Sequence, residues 1–369
     1  MFMKANKRHF MAICILLCMS LVFPILSGCT STPATTKPTG GGATSPGVTT
    51  TAAPEDKFPE QDFELLIGFA AGGGTDLNLR ALAESMAKEI GKSIVVTNME
   101  GGNGVVSEEY ALRQQADGYT LLAHGSNTSS SPTMGVTELT HKDVEMIGIS
   151  GGDVPIISVP YDSPIKDMND LIAGLKAGNL KSADSAIGGV WWVSSCAIAN
   201  LVGGKFSSVP YGSGSNAAVA CAKKETDFCA SALNEGKGMI AEKMLRALCV
   251  MDTVPAKVGD IVIPPITDYI TDPTFVANLP YFKSWRGIAV KPGTPQARKD
   301  KLIAAFSAAI ETPEFKKFVE QAGLTEINLF GADADAYYKS AEAFTCYLLF
   351  DAGAGTVDPA KLGIERLPS

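Results

Sequence analysis

Leu65-Leu66-Ile67-Gly68-Phe69 runs directly into Ala70-Ala71-Gly72-Gly73-Gly74-Thr75-Asp76 and then Leu77-Asn78-Leu79-Arg80. The first five residues have the apolar density of a buried strand. From Leu79 the apolar positions Leu82, Met86 and Ile90 recur at spacings of three and four, the period of a helix packed on one face. Between them stand three glycines, which carry no β-carbon, so the chain there can take positive φ and let a ligand reach main-chain N–H groups. A helix starting near Thr75 adds its unbonded first-turn donors and the positive end of its dipole. A carboxylate or phosphate suits such a turn, and a tight strand-to-helix connection with no ligand is the alternative. A dinucleotide fingerprint would require a glycine at position 77, which is Leu77, and no Walker lysine follows.

The same plan repeats. Ser93–Thr97 is rich in β-branched residues, Gly101-Gly102-Asn103-Gly104 is a second glycine turn, a helix runs to about Gln115, and Asp117-Gly118 leads into Tyr119–Ala123. Strand, helix, strand, helix, strand predicts a parallel sheet with right-handed crossovers. In such sheets ligands sit beyond the carboxyl ends of the strands, where the Gly72 turn, the Gly101 turn and His124-Gly125-Ser126-Asn127 should gather. Val154–Val159 reads as a further strand, and Pro160-Tyr161-Asp162-Ser163-Pro164 as a hinge between two prolines. A second α/β unit follows, with glycine loops at Gly188-Gly189 and Tyr211-Gly212-Ser213-Gly214. The strand Trp285–Val290 should rejoin the first unit, and three helices near Gln296–Ile310, Pro313–Ala322 and Ala332–Phe350 close the chain. Two crossings imply two α/β lobes with a ligand cleft between them: lobe 1 over 59–163 plus 285–369, lobe 2 over 164–284.

The N-terminus has a different character. Lys4, Lys7 and Arg8 precede an apolar run from Met11 to Ile25 that ends in Leu26-Ser27-Gly28-Cys29. This is the layout of a secretory signal over residues 1–28, and its ending resembles a bacterial lipobox with Cys29 as the lipidated residue. The run is shorter than the ~20 residues a spanning helix needs. Residues 29–58 are Thr, Pro, Gly, Ser and Ala with few large apolar side chains, the composition of a flexible tether. Three positive charges and no acid leave with the signal, so the net charge moves from −8 to about −11. An acidic body without a basic cluster argues against a nucleic-acid partner. Five cysteines remain in the body, Cys196, Cys221, Cys229, Cys249 and Cys346, none in a C-x-x-C pair. A zinc or redox site is therefore unsupported, and a disulfide is weighed against buried free thiols.

Catalysis finds little support. His9 leaves with the signal, and neither His124 nor His141 accompanies a G-x-S-x-G elbow. No metal-ligand spacing is present, so neither a metal nor a cofactor is expected.

Taken in order, Phe69–Asp76 with Arg80, Gly101–Gly104, Asp117–Leu122, Asp162-Ser163-Pro164, Val209-Pro210-Tyr211 and Trp285-Arg286-Gly287-x-x-Val290–Pro295 resemble the Bug-type receptors of tripartite tricarboxylate transporters over about residues 62–330. The resemblance implies a type II periplasmic-binding-protein fold, α/β in class. It implies an extracytoplasmic receptor, not an enzyme, that closes on a small carboxylate, works as a monomer and passes its ligand to a two-component membrane permease. An orphan lipoprotein signalling to a membrane kinase is the alternative, and an extracellular enzyme a remote one. Carried onto this chain, the first-lobe contacts are Phe69, Ala70, Gly73, Gly74, Asp76, Ser126 and Asn127, to which the glycine turn itself adds Gly72 and Thr75. The second lobe contributes Gly188, Gly189, Tyr211, Gly214 and Ala217. Where the family has a small hydroxyl residue and a histidine, this chain has Val190-Trp191-Trp192-Val193. Tryptophans exposed beside the cleft could stack on a flat ligand, which adds Trp191, against simple core packing. Arg286 and Lys205 leave room for a cation at the cleft, weighed against a solvated surface role, which is the expectation for both.

Overall fold

The computed structural model describes residues 56–368. The signal, Cys29 and the tether up to residue 55 lie outside the described residues.

Strand β1 (Phe63–Ile67), helix α1 (Gly74–Ile90), strand β2 (Ile94–Asn98), helix α2 (Val105–Arg113) and strand β3 (Thr120–Gly125) follow the predicted alternation. Both β2 and β3 pair with β1 in parallel. The strand period of two is visible in β1: Leu65 and Ile67 pack with Leu79, Leu82 and Met86 of α1, whereas Leu66 faces the opposite core with Leu122 and Trp285. Each such side chain, fully withdrawn from water, contributes about 1.5–3 kcal/mol. This two-sided burial is what makes β1 a rigid base for the loop that leaves it.

Strand β4 (Glu145–Asp153) comes next and was not anticipated. Its Gly148, Gly151 and Gly152 let β4 lie close between its neighbours; a β-carbon on Gly152 would stand 2.7 Å from the Ser284 carbonyl oxygen. The chain then continues through β5 (Pro155–Pro160), α3 (Met168–Ala177), β6 (Leu180–Asp184), α4 (Val190–Leu201), β7 (Phe206–Pro210), α5 (Gly214–Ala222), β8 (Phe228–Ala232), α6 (Leu233–Ala241) and β9 (Leu245–Val250). A small hairpin, β10 (Ala256–Val258) and β11 (Ile261–Ile263), and helix α7 (Pro273–Asn278) precede β12 (Ser284–Val290). Helices α8 (Gln296–Glu311) and α9 (Pro313–Ala322), strand β13 (Thr325–Phe330) and helix α10 (Gly331–Asp351) follow.

The strands form a six-stranded sheet ordered β13-β4-β12-β3-β1-β2 and a five-stranded sheet ordered β7-β6-β8-β5-β9. The first crossing therefore falls at Asp153–Pro155, ahead of the proline pair expected to form the hinge, because β5 is hydrogen-bonded to β8 and β9 in the second sheet. The return falls just before β12, which runs antiparallel between β3 and β4. Helix α10 lies on both cores, with Ala334, Tyr338 and Ala341 in one and Leu349 in the other. The end of the expected tether also belongs to the fold: Phe58 is buried, its ring 4.9 Å from Tyr119 and 5.6 Å from Phe63 between centroids. All five body cysteines are free thiols, so no disulfide forms among the described residues.

Candidate functional site

The loop after β1 is held from within. Asp76, in the first turn of α1, is buried; its Oδ2 accepts from the Gly72 amide at 2.9 Å, and its Oδ1 accepts from Arg80 Nη2 at 2.6 Å and Asn98 Nδ2 at 2.9 Å. The same Asn98 amide donates to the Phe69 carbonyl at 2.9 Å. The Arg80 hydrogen bond is the main reason the Asp76 carboxyl sits well below its usual range, at about 2. With both oxygens occupied, Asp76 is the strut of the turn. Of the three glycines only Gly72 takes positive φ, +79°, and Gly73 is extended as the N-cap. The outcome is a first turn in which the amides of Gly74, Thr75 and Asp76, left without intrahelical acceptors, face the rim. Asn98 carried no sequence signal beyond its place at the end of β2.

The other first-lobe loops meet this one. The backbones of Gly68 and Gly104 touch, and the Gly104 position lies against the Phe69 ring and Thr128. Ser126 is buried, its amide bonded to the Trp285 carbonyl and its hydroxyl without a partner; Asn127 beside it is half-buried. His124 turns inward instead. It is buried against Tyr338 with Nε2 3.1 Å from Thr128 Oγ1, and burial lowers its pKa to about 3.

From the second lobe, the Gly188 carbonyl accepts from Ser130 Oγ of the first lobe at 2.6 Å, so the two rims touch at this point. Gly189 is the N-cap of α4. Trp191 and Trp192 are both buried in the second core, so of the two readings core packing holds for both; four consecutive apolar residues at the head of α4 pack inward. Trp191 still reaches the site by its edge: a β-carbon on Gly214 would stand 2.8 Å from its indole nitrogen and would collide with Glu235 Oε2. Gly214 is thus the close-approach point of α5, α4 and α6. Ala217 is buried in the core below it, and the Tyr211 hydroxyl donates to Glu225 at 3.1 Å on the outer surface.

Arg286, expected on the surface, is buried, with Nη2 2.5 Å from Asp153 Oδ2 and Nε 3.4 Å from Thr75 Oγ1. Asp153 Oδ1 accepts in turn from Asn234 Nδ2 of α6 at 3.1 Å. A charged residue inside the apolar run Trp285–Val290 was the signal available in sequence, since a charge in a buried strand needs a partner. Lys205 is exposed as expected. No cluster suited to a metal ion occurs among the described residues, and the converging groups of α1 and β12 are donors of the kind that hold an anion.

Two α/β sheets with two chain crossings and a donor-lined turn at the junction define a two-lobed periplasmic-type solute-binding protein. More particularly, the chain belongs to the family described as tripartite tricarboxylate transporter family receptor, TctC, which it matches over residues 78–341. A Pseudomonas sp. (strain P51) protein, described as the UPF0065 protein in the tcbD-tcbE intergenic region, is 24% identical over 277 residues, 73% of this chain and 80% of that one. A TctC solute-binding protein from Polaromonas aligns with a TM-score of 0.67 at 23% identity, covering 80% of this chain and 99% of its own. MatC from Rhodopseudomonas palustris, solved with bound malate, aligns at 0.61 with 21% identity over 80% of this chain and 98% of its own. The family is described as a transporter receptor, not an enzyme, and the Polaromonas protein as a solute-binding protein. No described helix is long and apolar enough to cross a membrane.

Proposed function

We propose that this chain is a lipid-anchored extracytoplasmic receptor, tethered through Cys29, that captures a small carboxylate as a monomer and delivers it to a two-component membrane permease. The observation that carries the reading is the braced first turn of α1, whose amides are fixed by Asp76, Asn98 and Arg80 before any ligand arrives. Hydrogen bonds to a charged group contribute about 1.5–3 kcal/mol each. Three such donors supply about 4.5–9 kcal/mol toward the ~8 kcal/mol of a micromolar receptor, and contacts elsewhere in the cleft offset the costs of association. Malate in a protein of the same fold supports the ligand class, and the family description supports the permease.

The test is thermal unfolding of the purified chain with malate, succinate, citrate, aspartate, nicotinate and terephthalate. Binding to the native state alone raises the melting temperature by mass action. At least one acid should do so; a panel in which none does, while sugars or metals do, ends the carboxylate reading. Metabolic labelling with a fatty-acid probe should mark the wild-type chain and leave Cys29→Ala unlabelled.

A further inference from the structure

Arg286 is the only lysine or arginine among the buried residues described, and its donors are not all used. Nη2 is given to Asp153 and Nε is directed at Thr75, but Nη1 has no acceptor and no access to water. A buried charged donor without an acceptor is expensive, and in a site otherwise knit together it marks where an outside acceptor belongs. Its place is specific: a β-carbon on Gly74 would lie 3.1 Å from Nη2, so the guanidinium rests on the same first turn of α1 that offers its amides. Asp153, shared with Asn234, links this group to the second-lobe helix α6.

We infer that Arg286 is a ligand-binding residue: its Nη1 donates to the carboxylate received by the first turn of α1 and makes the site select an ionised carboxylate over the matching carboxamide. The inference rests on the carboxylate reading above and adds to it a side chain that recognition by main-chain amides does not require. Nη1 and the three amides are all donors. A carboxylate can answer each of them, whereas the NH2 of a carboxamide meets only other donors and leaves them unpaired, the arrangement that discriminates most strongly.

Calorimetric titration of the full chain with succinate and succinamide, and with malate and malamide, tests this in wild type, Arg286→Gln, Arg286→Lys and Asp153→Asn. Arg286→Gln should weaken the acid at least tenfold and shrink the acid-to-amide preference, with Arg286→Lys between it and wild type. Asp153→Asn loosens the hold on the guanidinium but keeps the Nη1 donor, so affinity should fall while the acid-to-amide preference persists. Equal loss of that preference in Arg286→Gln and Asp153→Asn, or unchanged affinity in Arg286→Gln, would overturn the inference and leave the receptor reading standing. If Arg286→Gln does not fold, Arg286→Lys against Asp153→Asn decides by the same criterion. Failure of wild type to bind any acid of the thermal panel would instead bring down the receptor reading itself.

Discussion

The two lobes meet the cleft with one device, a strand passing through a glycine turn into a helix, but they hold that device differently. In the first lobe the helix carries its own strut: Asp76 reaches back to Gly72 and is gripped by Arg80 and Asn98. In the second, α4 begins at Gly189 with no side-chain cap, and α5 has the single Ser213 hydroxyl accepting from the Asn216 amide at 3.1 Å. The position of the Gly188 loop is fixed partly from outside, by Ser130 of the other lobe. A turn braced by a buried charge is pre-organised for its ligand, whereas one held by contacts across the cleft gains its geometry when the lobes meet. On the function proposed above, gripping falls to the first lobe and grading to the second.

The largest test of that contrast is Asp76→Ala. It removes three partners from a buried network and should cost about 2–4 kcal/mol of stability, as loss of a buried hydrogen-bonded charge does, together with more than a hundredfold in carboxylate affinity. Ser213→Ala, the corresponding deletion in the second lobe, should cost only the ~1 kcal/mol of an N-cap. Urea unfolding and calorimetry on both variants decide; equal losses would abolish the distinction.

Next in size is a pH effect that separates the buried carboxyls of the lobes. Burial, helped by the charge of Glu342, raises Glu108 of the first lobe to about 8. In the second lobe burial also raises Asp184, but the hydroxyls of Ser208, at 2.7 Å, and Ser195, at 3.1 Å, oppose the shift. A raised acid binds its proton more tightly folded than unfolded, so Glu108 makes stability fall as pH rises from about 4.5 to about 8. His124 has the opposite sign between about 3 and 6.5, where the unfolded chain holds the extra proton. The two cancel from about pH 4.5 to 6.5, and above that stability should drop by about 2 kcal/mol by pH 8. Glu108→Gln should remove the drop in a pH series of unfolding curves; an undiminished drop in that variant would end its assignment to the first lobe.

How much of this could be read from the chain depends on where the information lies. The β1 loop and α1 were legible because period-3.6 spacing and three adjacent glycines are local signals, and so were the helices after Pro295. Strand β4 was not, since its glycines satisfy packing against β12 and β13 that only the folded sheet supplies. The crossing was misplaced for a related reason: Pro160 and Pro164 signal a turn, but pairing of β5 with β8 and β9 decides which sheet owns the strand. At the site, Asn98 and Arg286 matter through partners 22 and 133 residues away. The direction in which Trp191 and Trp192 face was likewise set by packing that spacing alone left open.

A smaller effect probes the second-lobe geometry directly. Gly214→Ala places a methyl group against Glu235 and the Trp191 edge. Overpacking of this kind costs about 1–3 kcal/mol where neighbours cannot yield. Here the Glu235 carboxylate can shift only by loosening its 2.8 Å bond from the Ala232 amide. Carboxylate affinity should fall about tenfold, ~1.4 kcal/mol, well short of Asp76→Ala; a loss as large as that of Asp76→Ala would mean the second lobe also grips.

The smallest effect falls at Tyr211. Its main chain belongs to the loop, with its amide bonded to the Asp184 carbonyl at 2.8 Å, but its hydroxyl is spent on Glu225 at the surface. If the residue serves through its backbone, Tyr211→Phe should change carboxylate affinity less than twofold and stability by less than about 0.5 kcal/mol, the range of surface substitutions. Asn216→Ala, which takes away the 3.2 Å bond from Nδ2 to the Tyr211 carbonyl, should then disturb binding more than loss of the phenol does. The reverse order in a side-by-side titration would place the Tyr211 hydroxyl on the ligand and make the second lobe a direct polar reader.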